Sequence, residues 1–251
     1  LKVAEIEDFA ALYGANKRAM IRSGYGFSRS RNGAAAFHAV SCLPTVTGAW
    51  AYKGGGAIYS NTELYRIDMT LIEGLDVPDR STRVLDMSRI GPVLNNDPHD
   101  IGDGPPVTAM LVQSSNPAVV APESGRVQQG LLRDDLFLCV HEQFLTDTAK
   151  LADIVLPATT FLEHDDLYTS YGQPFLQLGP RVIKPLAEAR SNHDMLSGLA
   201  TRLGADHRSF TMTAGDVIDE VLQTNGYGGA AERKEKRVID ISPTFEERHF
   251  L

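Results

Sequence analysis

The sequence predicts an α/β fold in which a doubly wound, mostly parallel sheet carries helices on both of its faces. The prediction depends on three apolar runs without polar alternation, at residues 107–112, 136–140 and 153–157, because strands buried on both faces of a sheet have that pattern. Helical patterns separate these runs. The second and third runs are about a dozen residues apart, the minimum length for a crossover between parallel strands.

Composition excludes several classes of protein. The chain has 251 residues, of which 43% are hydrophobic, enough apolar material for one large domain or two small ones. No apolar run approaches the ~20 residues of a membrane-spanning helix. The formal net charge of −8 argues against a nucleic-acid partner. Both cysteines, Cys42 and Cys139, lie in apolar runs, so we predict buried, inert thiols.

The N-terminal part of the chain predicts two helices and a long irregular segment. Apolar residues at helical spacing predict a helix over 6–14 that stops at Gly14. A short strand and a loop follow, and Asn32 is positioned to cap a second helix that Pro44 ends or kinks. Residues from about 50 to 106 are rich in glycine, proline and polar side chains, which predicts an irregular insertion.

Further helices flank the three predicted strands. An amphipathic helix lies between the first two strands, and Asn192 is positioned to cap another helix after the third strand. Thr213 and Asp216 have the spacing of a capping box ahead of the last helix. We therefore predict one α/β domain over residues 1–223 and an irregular tail over 224–251.

Polar residues follow each predicted strand, and they are the candidates for a binding site. In a Rossmann-like sheet, ligands bind outside the carboxyl ends of the strands. Carboxylates there can accept hydrogen bonds from ribose or guanine, and hydroxyls can hold phosphates, so the site suits a nucleotide. No GxGxxG or GxxxxGK[ST] motif supports NAD or ATP binding. The candidate residues are Asn116 after the first strand, His141, Glu142, Thr146 and Thr148 after the second, and His164 after the third.

Structural roles are the alternative for several of these residues. Thr146 or Thr148 would serve equally well as the cap of a short helix. His141 and Glu142 could likewise be an ordinary pair of surface side chains. Sequence alone leaves these alternatives open.

Long motifs in this region resemble the molybdopterin oxidoreductases of the dimethyl sulfoxide reductase family. The motifs are SSNPAVVAP, LFLCVHEQFLTDTAKLADIVLPATTFLEH and EARSNHDMLSGLATRLG, preceded by IRSGYGFSRSRNGAAAFHAVSCLPTVTGAWAYKGGG. The resemblance implies a molybdenum or tungsten ion held between two molybdopterin guanine dinucleotides. The metal ligand, and in typical members an iron–sulfur cluster, would belong to regions N-terminal to this chain, so no metal ligand is expected within it.

The resemblance also implies roles for individual residues, both near the start of the chain and after the predicted strands. Tyr25 and Arg29 lie where the family contacts the pterin near the metal, which makes Arg29 our candidate for a part in catalysis. Asn116 is implied to touch guanosine or pyrophosphate. His141 and Glu142 stand where the family often has a Ser-Asp pair that binds guanosine. His164 replaces a commonly basic residue, and Asn192 replaces a frequent aspartate ahead of its helix.

The resemblance also implies that the chain is the second part of a cofactor-binding domain, inactive by itself. Its partners would be the remaining domains of the full enzyme and an electron-transfer subunit, with no membrane segment in this chain. The compartment is open, with the cytoplasm favoured, and so is the substrate. The alternative function is a structural module, as in the large subunit of respiratory NADH:quinone oxidoreductase, which resembles the family but holds no molybdenum cofactor.

Overall fold

The structure, a computed structural model, describes residues 1–60, 65, 67–77, 81–170, 173–229 and 237–242. The chain divides into two units. The first unit comprises Leu1–Arg66, Ser170–Pro174 and Thr244–Leu251, and the second unit comprises Ile67–Thr169 and Phe175–Pro243. Among the described residues, no helix has both the length and the apolar character needed to cross a membrane.

The first unit pairs two short parallel strands beside two helices. Its elements are α1 (Val3–Ala15), β1 (Met20–Arg22), a 3₁₀ helix (Tyr25–Arg29), α2 (Gly33–Thr47), a second 3₁₀ helix (Ala49–Ala51) and β2 (Gly56–Ile58). Asn32 is the N-cap residue of α2, as predicted, although its side chain makes no capping hydrogen bond. Pro44 does not end α2, which corrects one of its two predicted effects, because the helix continues to Thr47. The C-cap residue is Gly48, whose φ of 71° gives the left-handed conformation that terminates helices.

The second unit contains the three predicted strands as one parallel sheet. Its strands are β3 (Ala109–Gln113), β4 (Phe137–Glu142) and β5 (Ile154–Pro157), in that order across the sheet. Gln113 lies opposite His141, and His141 lies opposite Leu156. The carboxyl ends of all three strands therefore lie at the same edge, and the predicted α/β class with a parallel sheet is confirmed.

Short helices and a small second sheet complete this unit. The helices are α3 (Thr70–Glu73), α4 (Ile90–Leu94), α5 (Pro98–Ile101), α6 (Pro117–Val120), α7 (Ser124–Leu131), α8 (Asp147–Lys150), α9 (Asn192–Leu203) and α10 (Ala214–Thr224), with 3₁₀ helices at Met87–Arg89 and Arg208–Thr211. The second sheet is antiparallel and consists of β6 (Asp166–Tyr168), β7 (Phe175–Gly179) and β8 (Val238–Asp240). The Thr213–Asp216 capping box begins α10, as predicted.

The core of the second unit lies on one face of the β3–β5 sheet. Leu138 and Val140 on β4 are fully buried there, and they pack in one cluster with Leu94 of α4 and with Val127 and Leu131 of α7. On the opposite face, large apolar side chains are partly exposed. These are Leu111 at 38%, Phe137 at 50% and Ile154 at 44%.

The predicted irregular insertion contains structure that the sequence pattern missed. Helix α4 lies in the insertion and has four consecutive buried residues, yet its sequence IGPVL is too short to show helical periodicity. Arg89 holds this region in place, because its guanidinium donates to both carboxylate oxygens of Asp100, at 2.8 and 3.0 Å, and to Glu123 at 3.2 Å. The predicted irregular tail likewise contributes β8.

The two cysteines are less buried than predicted. Cys42 and Cys139 are free thiols of intermediate exposure. Cys139 lies on β4, where partial burial raises the pKa of its thiol above the ordinary value. The outward-facing positions of a sheet alternate with the core positions, so the apolar run 136–140 did not distinguish Cys139 from its buried neighbours.

Candidate functional site

The carboxyl edge of the β3–β5 sheet, defined as residues 113–116, 141–143 and 157–164, carries the predicted site. Parallel pairing brings the three strand ends side by side. Ser114 leaves β3 with a φ of 50°, a conformation that is uncommon for a residue other than glycine, and its amide donates to the His141 carbonyl at 3.3 Å. The backbone therefore turns sharply where it leaves the sheet, as it does at many binding sites.

Asn116 and Thr148 are bound to each other. The Thr148 hydroxyl, which is fully buried, donates to Asn116 Oδ1 at 2.7 Å and accepts from the Ala118 amide at 3.0 Å. The Thr148 amide also donates to Asn116 Oδ1, at 3.1 Å. Thr148 therefore fixes the loop after β3 against α8, and any effect of its hydroxyl on a ligand would act through Asn116.

Thr146 has the capping role that the sequence left open. It is the N-cap residue of α8, and its hydroxyl accepts from the Ala149 amide at 3.1 Å. The side chain is half-buried. Its contact with a cofactor stays a prediction.

His141 is the completely buried member of the carboxyl edge, which corrects the alternative of a surface pair with Glu142. Its Nε2 is 3.2 Å from the Arg190 carbonyl oxygen. Because a carbonyl oxygen only accepts, this hydrogen bond requires a proton on Nε2. Among the described residues Nδ1 has no hydrogen-bond partner, and neither has the buried Nε2 of Gln113 on the adjacent strand.

Glu142 presents an available carboxylate oxygen at the centre of the edge. The side chain is half-buried, and Oε1 accepts from the Gln143 amide at 2.7 Å. In the described part of the chain, Oε2 has no hydrogen-bond or ion-pair partner. Gln143 in turn donates to the Thr159 carbonyl at 2.8 Å, which joins the ends of β4 and β5. The edge therefore offers a negatively charged acceptor on a well-supported backbone.

His164 belongs to a polar cluster at the end of β5. Its Nδ1 is 2.8 Å from the Thr159 hydroxyl, and its Nε2 is 3.7 Å from a carboxylate oxygen of Asp166. The neighbouring Glu163 is buried and accepts from the amides of Thr160 and Leu186, at 2.8 and 2.7 Å. The hydrogen bond from the Thr160 amide is the main reason that the pKa of Glu163 lies below its ordinary value. Glu163 thus organises this loop as a carboxylate.

Asn192 is not the helix cap that the sequence predicted. Helix α9 begins at Asn192 itself, and the N-cap residue is Ser191, whose hydroxyl accepts from the Asp194 amide at 3.1 Å. Asn192 is exposed on the first turn. The Ser-x-x-Asp spacing of a capping box was the sequence signal for Ser191. Any contact of Asn192 with a cofactor stays a prediction.

Tyr25 and Arg29 belong to the first unit. The Tyr25 ring is 44% exposed and packs edge-on against Tyr59, with ring centroids 5.1 Å apart. Its hydroxyl is 3.4 Å from the Ser60 hydroxyl. Arg29 ends the 3₁₀ helix, and its side chain lies outside the described part of the chain. The predicted contacts of both residues with a pterin stay predictions.

Comparison with known proteins assigns the family. Residues 7–202 match the family model described as molybdopterin oxidoreductase. The chain belongs to the molybdopterin oxidoreductase family. Membership in this family confirms the resemblance found in the sequence and implies a cofactor of molybdenum and molybdopterin.

Relatives of this molybdopterin oxidoreductase chain include redox enzymes that are considerably longer. It is 39% identical over 219 residues to the “Probable oxidoreductase YoaE” of Bacillus subtilis (strain 168), covering 87% of this chain and 31% of that protein. It is 27% identical over 218 residues to the trimethylamine-N-oxide reductase of Haemophilus influenzae, covering 77% and 26%. The chain therefore spans less than a third of either relative.

A solved structure also matches part of the molybdopterin oxidoreductase chain. It is that of acetylene hydratase from Pelobacter acetylenicus, with a TM-score of 0.49 and 23% sequence identity. The match covers 60% of this chain and 20% of the acetylene hydratase chain.

Proposed function

We propose that the chain is the cofactor-binding portion of an oxidoreductase that uses molybdenum or tungsten bound to two molybdopterin guanine dinucleotides. The observation that carries the proposal is the position of Glu142. Its carboxylate lies at the end of the central strand, with one oxygen fixed by the Gln143 amide and the other without a partner in the described chain. When bound, the metal–pterin group supplies two-electron transfer to or from a small substrate.

The residues around Glu142 have the hydrogen-bonding capacity that a guanosine requires. Guanine presents N–H donors and a carbonyl acceptor, and ribose presents hydroxyls. Glu142 Oε2 can accept from either, and Asn116, held by Thr148 through its Oδ1, keeps its amide nitrogen as a donor. The edge therefore offers a nucleoside both a hydrogen-bond acceptor and a hydrogen-bond donor.

The carboxylate of Glu142 provides the test of this function. Replacing Glu142 with alanine in the full-length protein removes a charge-assisted hydrogen bond, a loss of roughly 1.5–3 kcal/mol, or about 10- to 150-fold in affinity. We expect the purified variant to contain less guanine nucleotide than the wild type. The measurement is the amount of guanine nucleotide released from the denatured protein, quantified by mass spectrometry.

The matched control for Glu142 is Asp134→Ala. Asp134 is an exposed acidic residue in the turn before β4, at the opposite end of the strand. Its removal changes the net charge equally, and we expect its nucleotide content to equal that of the wild type. Full occupancy in the Glu142→Ala protein would contradict the proposed contact.

Arg29 provides a second test, which concerns turnover. A guanidinium offers planar paired donors that a lysine cannot replace. In the full-length protein, we expect Arg29→Lys to lower turnover with an artificial electron carrier about tenfold, the effect of losing one good hydrogen bond, while cofactor content stays normal. Arg31→Lys, an exposed neighbour, is the control. Equal turnover of the two variants would remove Arg29 from the site.

A structural module is the second candidate function. The observation that favours it is that Thr148, Asn116 and His141 make hydrogen bonds within the protein, as residues of a purely structural edge would. The wild-type protein distinguishes the two functions, because a structural module would release no guanine nucleotide and contain no molybdenum or tungsten. An iron–sulfur cluster and an electron-transfer partner, together with inactivity of the isolated chain, remain part of the first proposal.

A further inference from the structure

Two arginine side chains converge on one glycine of α9. Gly198 lies in the middle of this helix, and Nη1 of Arg202 and Nη1 of Arg190 lie 3.5 and 3.9 Å from the point that a Cβ atom at Gly198 would occupy. Both arginines are exposed. Because Gly198 has no side chain, the two guanidinium groups approach the same patch of helix surface.

The backbone and helix that carry these arginines are firmly held. The Arg190 carbonyl accepts from His141 Nε2 at 3.2 Å and from the Thr159 amide at 3.0 Å, and the Arg190 amide donates to the Pro157 carbonyl at 3.1 Å. Arg202 Nη1 donates to the Gly198 carbonyl at 2.9 Å. The backbone of Arg190 and the guanidinium of Arg202 are therefore held in place before a ligand binds.

The two positive charges lack a counter-charge in the described part of the chain. No carboxylate there lies within 4.0 Å of either guanidinium, whereas Arg89, Arg133 and Arg208 are all paired with acidic residues. The carboxylate on this helix is Asp194, one turn before Gly198, and its Oδ2 accepts from the Ser191 hydroxyl. Two guanidinium groups that lie close together repel each other, whereas an anion bound between them attracts both.

We propose that Arg190, Arg202 and the bare surface at Gly198 form a binding site for a phosphate group. Arginine is suited to phosphate because its planar donors match two oxygens at once. Two arginines supply donors to different oxygens of one tetrahedral anion. The site consists only of residues of α9 and the segment before it, so its binding of inorganic phosphate does not rest on the function proposed for Glu142, whereas the source of the phosphate does.

Titration with inorganic phosphate tests the site. We expect the full-length protein, in chloride buffer of constant ionic strength, to bind phosphate by calorimetry, and Arg190→Gln or Arg202→Gln to weaken that binding about tenfold, the loss of one charge-assisted hydrogen bond. The control is Arg181→Gln, which removes an exposed arginine from another segment. Glutamine keeps the aliphatic stem, and the hydrogen bonds at Arg190 involve only its backbone.

The same titration identifies the source of the phosphate. If protein freed of its cofactor binds phosphate and cofactor-loaded protein does not, the site takes a phosphate of the cofactor. If both forms bind equally, the site takes a separate phosphate-bearing ligand. The absence of binding to both forms of the wild type, or equal weakening by Arg181→Gln, would overturn the proposal.

Discussion

Replacing Leu138 with alanine is expected to lower the free energy of unfolding of the second unit by about 2–5 kcal/mol. Leu138 is completely buried in the central strand and packs in the cluster formed by β3, β4, α4 and α7. Alanine would remove apolar contacts and leave a cavity beneath the carboxyl edge. Hydrogen exchange of the β4 amides in the full-length protein measures the change, because it reports the stability of this unit separately from other domains.

Leu132 is the matched control for Leu138. It is the same residue type, it follows α7, and it is 61% exposed. We expect Leu132→Ala to change the stability by less than about 0.5 kcal/mol. Equal effects of the two substitutions would mean that Leu138 is not in the core.

Replacing Thr148 with valine is expected to destabilise the carboxyl edge by about 1–3 kcal/mol, the penalty for leaving a buried hydrogen-bonding group unsatisfied. Valine has nearly the same shape, but it cannot accept from the buried Ala118 amide or donate to Asn116. The measurement is hydrogen exchange at Ala118, which should become faster. Because Asn116 loses one of its restraints, we also expect weaker retention of the guanine nucleotide.

Thr201→Val is the control for the change at Thr148. The Thr201 hydroxyl donates to the Ser197 carbonyl on an exposed surface of α9, where water can replace the lost hydrogen bond. We expect little change in stability or nucleotide content. Unchanged exchange at Ala118 in the Thr148→Val protein would show that the network around Asn116 does not support the edge.

The networks that these variants address connect residues distant in the sequence. Thr148 lies 32 residues from Asn116, and His141 lies 49 residues from Arg190. Each pair bridges the ends of neighbouring elements. A change at a buried member of either network would therefore act on the loops of the edge without touching a ligand. This separates residues that position the edge from residues that would contact a cofactor.

The sequence by itself determined the parallel sheet and the candidate edge. Residues 107–112, 136–140 and 153–157 contain β3, β4 and β5 almost to their ends, because long apolar runs between helical patterns have few other folded arrangements. The polar residues after the strands followed from the same pattern, since parallel strands end at one edge. The capping box at Thr213 was also predictable from the sequence, because it involves only Thr213 and the nearby Asp216.

Only the tertiary structure decided which of these polar residues face inward. His141 is buried, while the adjacent Glu142 is half-exposed, and the convergence of Arg190 and Arg202 on Gly198 is a matter of packing. The antiparallel β6–β8 sheet and helix α4 were likewise invisible in the sequence pattern. Strands of three residues and helices of one turn are stabilised by distant partners, and hydrophobic periodicity describes only a residue's neighbours along the chain.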